Sequence, residues 1–290
     1  MGGIIDKITE FIKELLQGWV LTNLETMFTD VNDKVGTIAG EVSKTPSTWN
    51  SGIFDMIKTL SDNVMIPIAG MIISFVLVYE LISMVIDKNN LHDFNTAIFI
   101  RFFMKACIAV MLLSKTFDIV MAVFDVGSHI VNSAASAITG STSIDVASTL
   151  QTMFNEQFSE MSIGELLGLG METMIVSLCM KIMSVLITVI LYGRMIEIYL
   201  YVSVAPVPCA TVTNREWGTI GTNYFKGLCA LAFQGFFMMV CVAIYAVLVA
   251  GVAVSDNLHT ALWSVAAYTV ILCFSLFKTG SLSKSIWNAH

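Results

Sequence analysis

Charge is scarce in this sequence. Lys, Arg, Asp and Glu together make up 13% of 290 residues, about half of their usual share in a soluble domain. Hydrophobic residues fill 56% of positions and the mean hydropathy is +0.78. That balance excludes an ordinary soluble domain and indicates a polytopic membrane protein. Basic residues are scarcest in the middle. No Lys or Arg occurs from Thr116 to Met180, a window that holds Asp118, Asp125, Asp145, Glu156, Glu160, Glu165 and Glu172. With a net charge of −7 and no basic stripe, the chain offers little for nucleic-acid phosphates to bind. Close CxxC pairs are missing as well. Cys107, Cys179, Cys209, Cys229, Cys241 and Cys273 all lie in apolar blocks, and His92, His129, His259 and His290 stand singly. Neither a disulfide frame nor a metal site is expected. A phosphate-binding glycine loop, a GxSxG elbow and an HExxH helix are also absent, so no catalytic residue and no cofactor is expected, and any nucleotide hydrolysis falls to a partner. No cleavable signal peptide is expected, because Asp6, Lys7, Glu10, Lys13 and Glu14 interrupt the apolar pattern near the start.

What the chain has in abundance is apolar length. A helix crosses roughly 30 Å of hydrocarbon with about 20 apolar residues. Five windows meet that requirement: 64–86, with Pro67 and Glu80; 97–124, with Arg101, Lys105, Lys115 and Asp118; 172–192, with Lys181; 228–254; and 259–277. A further block, 195–212, carries Pro206 and Pro208, which remove two backbone donors within one turn. Non-helical backbone at membrane depth requires surrounding protein or water. The expected fold is therefore all-α, with five full transmembrane helices, a proline-broken or re-entrant sixth apolar segment, and an N-terminal amphipathic helix.

That N-terminal helix is read from Ile4, Ile5, Ile8, Phe11, Ile12, Leu15, Leu16 and Trp19, which recur at three- and four-residue spacing. Its apolar face suits the bilayer interface, a partner helix or the protein's own body. Residues 29–63 read as a short second helix plus loops. Basic residues near spans stay cytoplasmic, which places the acidic loop between the second and third spans outside and Lys88, Arg101, Lys105 and Arg194 inside. The expected layout is an outer N-terminal segment 1–63, a first transmembrane pair 64–124, an acidic outer loop 125–171, a second transmembrane block 172–277 with the broken segment 195–212, and a cytoplasmic tail 278–290. The N-terminus lies outside and the C-terminus inside. If 195–212 dips and returns, Arg215, Lys226, Lys278 and Lys284 all stay inside. Within the outer loop, residues 150–169 carry an apolar face suited to a surface helix, and Ser162, Gly164, Gly168 and Gly170 allow close backbone approach.

Ionisable groups inside spans are costly and normally face protein or water. Glu80 and Lys181 form the obvious couple, as helix glue or as the lining of a polar passage. Lys115 and Asp118 lie three residues apart and neutralise each other locally. Arg194 and Glu197 share that spacing. Gln234, beside Gly235, is placed to pack against another helix or to hydrogen-bond to it, with packing the preferred role.

The run GRMIEIYLYVSVAPVP followed by NREWGTIGTNYFKGLCALAFQG resembles the TrbL-like (VirB-six-like) polytopic inner-membrane component of conjugative type IV secretion systems, in the Gram-positive form. The resembling residues are Arg194 and Glu197, then Pro206 and Pro208, then Trp217, Gly221, Tyr224, Lys226 and Gly227, and last Gln234 and Gly235. The resemblance implies a channel or scaffold subunit in the bacterial plasma membrane, without enzymatic activity, that supports export of DNA and protein. It implies association with several copies of itself, with the system's membrane ATPases and with cell-wall-facing subunits. A secondary transporter or ion channel with a midplane site at Glu80 and Lys181 is the alternative.

Overall fold

The computed structural model describes residues 2–86, 96–139, 158, 161–252 and 258–289. It is 93% helical, with no strand among the described residues. In chain order the elements are α1 (Gly2–Ser43), α2 (Pro46–Trp49), α3 (Ser51–Leu60), a π-helical turn (Ser61–Met65), α4 (Ile66–Ile86), α5 (Thr96–Ser114), α6 (Thr116–Thr139), α7 (Ile163–Val204), α8 (Pro206–Thr211), α9 (Gly218–Val252) and α10 (Leu258–Ile286). Five stretches among the described residues are long and apolar enough to cross a membrane: Ser51–Ile86, Thr116–Ala137, Ile163–Val204, Gly218–Val252 and Leu258–Ile286. The chain is thus an all-α protein with five membrane-spanning candidates.

Helix α1 departs from the sequence expectation in length and in facing. It runs for 42 residues to Ser43 instead of giving way to loops near residue 29. Gly36 and Gly40 weaken a helix by about 1 kcal/mol each, but Val35, Ile38 and Val42 between and beside them pack into a core, and packing outweighs propensity. The helix stops where Pro46 opens α2 and Thr45 donates its N–H to Thr48 Oγ1 at 2.9 Å. The buried side is Leu16, Val20, Leu24 and Met27. Ile8, Phe11, Ile12, Leu15 and Trp19, most of the expected apolar face, are exposed.

The span expected at 97–124 is divided between two helices. Lys115 separates α5 from α6, although helical bonds continue through it, from Lys115 N–H to Met111 O at 3.1 Å and from Ile119 N–H to Lys115 O at 3.0 Å. The membrane-length stretch there is Thr116–Ala137, so α6 continues through residues 125–139, which the sequence reading gave to the outer loop. The spans expected at 64–86, 172–192, 228–254 and 259–277 each fall on a longer helix. In the first, the π-helical turn sits just before Pro67, whose ring cannot accept the regular α geometry of the preceding turn.

Block 195–212 is proline-broken and does not form a helix of its own. Its first ten residues complete the 42-residue helix α7, which a buried Arg194 does not interrupt. The break comes at Ala205, immediately before the two residues that lack an N–H, and α8 follows with Pro206 at its first position. At its other end α7 is started by a capping box: Ser162 N–H donates to Glu165 Oε2 at 2.7 Å, and Glu165 N–H to Ser162 Oγ at 3.4 Å. Half of the surface helix expected at 150–169 lies outside the described residues, and its end, from Ile163, belongs to α7.

Two compact units are formed. The first comprises Met1–Val42, Val131–Leu191 and Phe237–Thr279. Its core joins Val20, Leu24 and Met27 of α1 to Leu166, Leu169 and Val176 of α7, Met238 and Val242 of α9, and Leu262 and Val265 of α10. Trp19 lies against Gly170, where any Cβ would come within 2.7 Å of the indole Cε3. Asn23 donates to Thr173 at 3.3 Å, Gln17 to the Phe158 carbonyl at 2.9 Å, and Tyr245 and Thr269 share a hydrogen bond of 2.9 Å. His259 Nδ1 and Glu172 Oε2 are 2.5 Å apart.

The second unit comprises Ser43–Ile130, Tyr192–Phe236 and Gly280–His290. Ile57, Phe117, Val120 and Phe124 pack with Met195, Ile198, Tyr199 and Val202 of α7 and with Leu228 and Leu231 of α9. A smaller apolar cluster, Ala69, Ile73, Ala109, Leu113 and Ala210, seats α8 against α4 and α5. Tyr199 donates to the Pro46 carbonyl at 2.7 Å and so ties α7 to the turn before α3.

Candidate functional site

Within the second unit, the segment that follows α8 is clasped by one asparagine. Asn214 Oδ1 accepts the N–H groups of Glu216 at 2.8 Å and Trp217 at 2.9 Å, which shapes the turn that enters α9. Its Nδ2 donates to Glu80 Oε2 at 3.3 Å. Glu80 Oε1 takes the ammonium of Lys105. Glu80 is only 6% exposed, so both oxygens of a buried carboxylate are used. The carboxylate expected to face Lys181 is therefore held by Lys105 and Asn214, because the packing of α4 on α5 and α8 brings those side chains to it. Lys181 stands exposed on α7.

Aromatic rings close the same clasp. The Trp217 indole stacks on Phe75 at 5.5 Å and 14° and on Tyr79 at 5.7 Å and 10°, while Tyr79 donates to Glu216 Oε2 at 2.7 Å. Gly221 and Gly227 are required by close approach. A Cβ on Gly221 would lie 2.6 Å from the Pro208 carbonyl, and one on Gly227 would lie 3.0 Å from the Tyr201 ring. Tyr224 stacks on Tyr201 at 5.7 Å and donates to the Tyr201 carbonyl at 2.8 Å. Pro206, Pro208 and Gly235 are buried, and Lys226 is half-buried. The motif residues thus pack the broken end of α7 against the start of α9.

Arg194 and Glu197 do not form a pair. Glu197 binds Lys284 at 2.7 Å. Arg194, 7% exposed, turns to α9 and donates from Nη2 to the Leu231 carbonyl at 3.5 Å, with its Nε unpartnered. Gln234 fills the space beside Gly280 and its Oε1 accepts nothing among the described residues, so of its two expected roles the geometry favours packing. Ser283 makes the bridge instead, donating to the Ala230 carbonyl at 2.5 Å.

Helix α6 has two opposed faces. Phe117, Val120, Phe124, Gly127 and Val131 are buried. On the other side, Asp118, Ala122, Asp125, His129, Asn132 and Ser136 are exposed at spacings of three and four, which is a single stripe along an α-helix. Lys115 and Asp118 meet at 3.2 Å as their spacing predicts, both well exposed. An apolar helix of membrane length whose exposed stripe is polar at five of six positions, with exposed Val126 at its edge, fits a water-facing wall.

Sequence reasoning missed Asn214, Tyr199, Ser283 and the role of Lys105. Asn214 alone carried a local signal: an Asn two and three residues before the N–H groups of a helix entry is an Asx-turn pattern. The other three act across long sequence separations that no local pattern reports.

Five membrane-length helical stretches among the described residues, a buried carboxylate held by a lysine, and a largely polar helix face define an integral multi-pass membrane protein. The family model described as "TrbL/VirB6 plasmid conjugal transfer like protein" matches residues 31–206, more than half of the chain. The chain belongs to this family, and is a membrane component of conjugal transfer by type IV secretion. The match includes Arg194, Glu197 and Pro206 and ends before Pro208 and the motif residues that follow. No curated protein and no solved structure matches.

Proposed function

We propose that this protein is a channel-forming subunit of a conjugative type IV secretion system, and that the polar face of α6 lines part of the route for exported DNA and protein. The stripe Asp118, Asp125, His129, Asn132 and Ser136 carries the reading. Exposed polar side chains are expensive against lipid and inexpensive against water. An anionic face would also let a polyanion pass without holding it, since retention needs Lys or Arg. The Asn214 clasp then acts as a rigid collar and not as a reaction centre.

The protein contributes no catalysis; the system's membrane ATPases drive export, and purified protein is expected to show no ATP turnover. Basic residues support an N-terminus outside and a C-terminus inside the bacterial plasma membrane. With spans at Ser51–Ile86, Thr116–Ala137, Ile163–Val204, Gly218–Val252 and Leu258–Ile286, Lys88, Arg101, Lys105, Lys115 and Arg215 fall between spans on one side. The exposed α1 stripe Ile8, Phe11, Ile12, Leu15 and Trp19 suits the outer bilayer interface. Several copies around the route, with cell-wall-facing subunits outside, complete the assembly. The transporter alternative loses its central pair, because Glu80 is occupied by Lys105.

Cysteine accessibility tests the reading. In a chain freed of its six native cysteines, single cysteines at Asp125, His129 and Ser136 should react with a membrane-impermeant thiol reagent and block transfer, while cysteines at Phe124 and Val131 should stay silent. Uniform protection of all five would remove the water-facing wall.

A further inference from the structure

Within the second unit, the last turns of α10 are tied to α7 and α9 by side chains of residues 283–287. Ser283, fully buried, donates to the Ala230 carbonyl at 2.5 Å. The Trp287 ring lies 5.2 Å from the ring of Phe233, and Lys284 binds Glu197 at 2.7 Å. The Lys284 and Glu197 side chains are 39% and 38% exposed, so water shares their charges and the pair contributes little by itself. Lys284 could leave for water at small cost.

Arg194 is in the opposite situation. It is 7% exposed, makes no ion pair among the described residues, and has a buried Nε without a partner. Its hydrogen bond to the Leu231 carbonyl is 3.5 Å long. A buried cation met so weakly is costly, and a carboxylate is the group that relieves it. Glu197 is placed to be that group, since it lies three residues further along α7, a spacing that sets two side chains on one helix face, and its charge already acts on Arg194. Lys284 holds it instead.

We propose that Arg194 and Lys284 are alternative partners of Glu197, and that this exchange makes the end of α10 a releasable latch on the broken end of α7. With the latch closed, Lys284 holds Glu197 and Arg194 rests on the α9 carbonyl. With it open, Glu197 turns to Arg194, Lys284 enters water and Ser283 leaves Ala230. The gain at Arg194 offsets the contacts that are lost, so no buried charge is stranded.

The exchange is tested in the full-length protein in mixed micelles by following the unfolding equilibrium. Lys284→Met should lower the folding constant about threefold or less, because Glu197 passes to Arg194. Glu197→Gln should lower it at least about tenfold further in the Lys284→Met chain, and should be neutral there once Arg194→Gln is added. No further cost of Glu197→Gln after Lys284→Met, or a cost that persists beside Arg194→Gln, would overturn the exchange. A second readout leaves Arg194 unchanged, so it holds even where Arg194→Gln fails to fold. In a chain freed of its native cysteines, Ser283→Cys should react slowly with a thiol reagent, and Lys284→Met should raise that rate at least about tenfold by opening the latch. Adding Glu197→Gln should lower the rate again, because the gain at Arg194 is gone. A rate indifferent to Lys284→Met, or one that stays high with Glu197→Gln, would show that no latch of this kind exists.

Discussion

Replacing Lys105 by Met isolates the ion pair of the clasp. Glu80 is 6% exposed, and its carboxylate is balanced by one ammonium and one amide. Removing the ammonium leaves a buried charge with a single neutral donor, a change that costs about 3–5 kcal/mol when the pair is fully buried. The Lys105 side chain is 41% exposed, so water reaches the pair and the lower end, about 3 kcal/mol, is expected. Glu80→Gln keeps the shape and removes the charge, leaving Lys105 free to turn toward solvent; about 1.5–2 kcal/mol is expected, the worth of one charge-assisted hydrogen bond. Combining the two changes should recover about 1–3 kcal/mol relative to their sum, because each single variant already forfeits the same interaction. The assay is reversible unfolding of the purified protein in mixed micelles, followed by helical circular dichroism. Glu80→Gln with Lys181→Gln is the control and should be additive. Additive losses at 80 and 105, together with coupling between 80 and 181, would refute the clasp as described.

Other changes address the same architecture. Gly221→Ala, whose Cβ would press on the Pro208 carbonyl, should cost about 1–3 kcal/mol, and Gly227→Ala less, both read in the same unfolding assay. Asn214→Asp keeps the acceptor for the two N–H groups but sets a second carboxylate against Glu80, so it should be at least as destabilising as Asn214→Ala at neutral pH and should regain stability when Glu80→Gln is added. Gly170→Ala should displace α1 by pushing on Trp19, raising protease cleavage within residues 2–43, and Trp19→Ala should reverse that rise in the double variant.

The number of spans and the proline break were legible because both depend on local facts: about 20 apolar residues make a spanning helix, and an absent N–H ends one. The extents were less so. Helix α1 continues past Gly36 and Gly40 because its far half is packed, which no propensity reports. Block 195–212 looked independent because Arg194 and Glu197 broke the apolar run, yet one charge is buried against a carbonyl of α9 and the other is neutralised by Lys284 near the end of the chain. Lys115 and Asp118 were read correctly since three residues on one helix suffice. Glu80 was recognised as an acid needing a base, but the choice of Lys105 over Lys181 depends on how α4, α5 and α8 pack. The motif residues Trp217, Gly221, Tyr224 and Gly227 were found as a pattern, and their reason, the tight seating of α9 on α7 and α8, became visible only in three dimensions.

The claim that the polar face of α6 borders the export route is tested most directly by crosslinking from that face to the substrate in transit. Photoreactive side chains at Asp125, His129 and Ser136 should form adducts with transferring DNA or exported protein only while the system's ATPases are active, and the same group at Val120 or Val131 on the buried face should form none. Substrate adducts on neighbouring subunits, with none from α6 during active transfer, would contradict it.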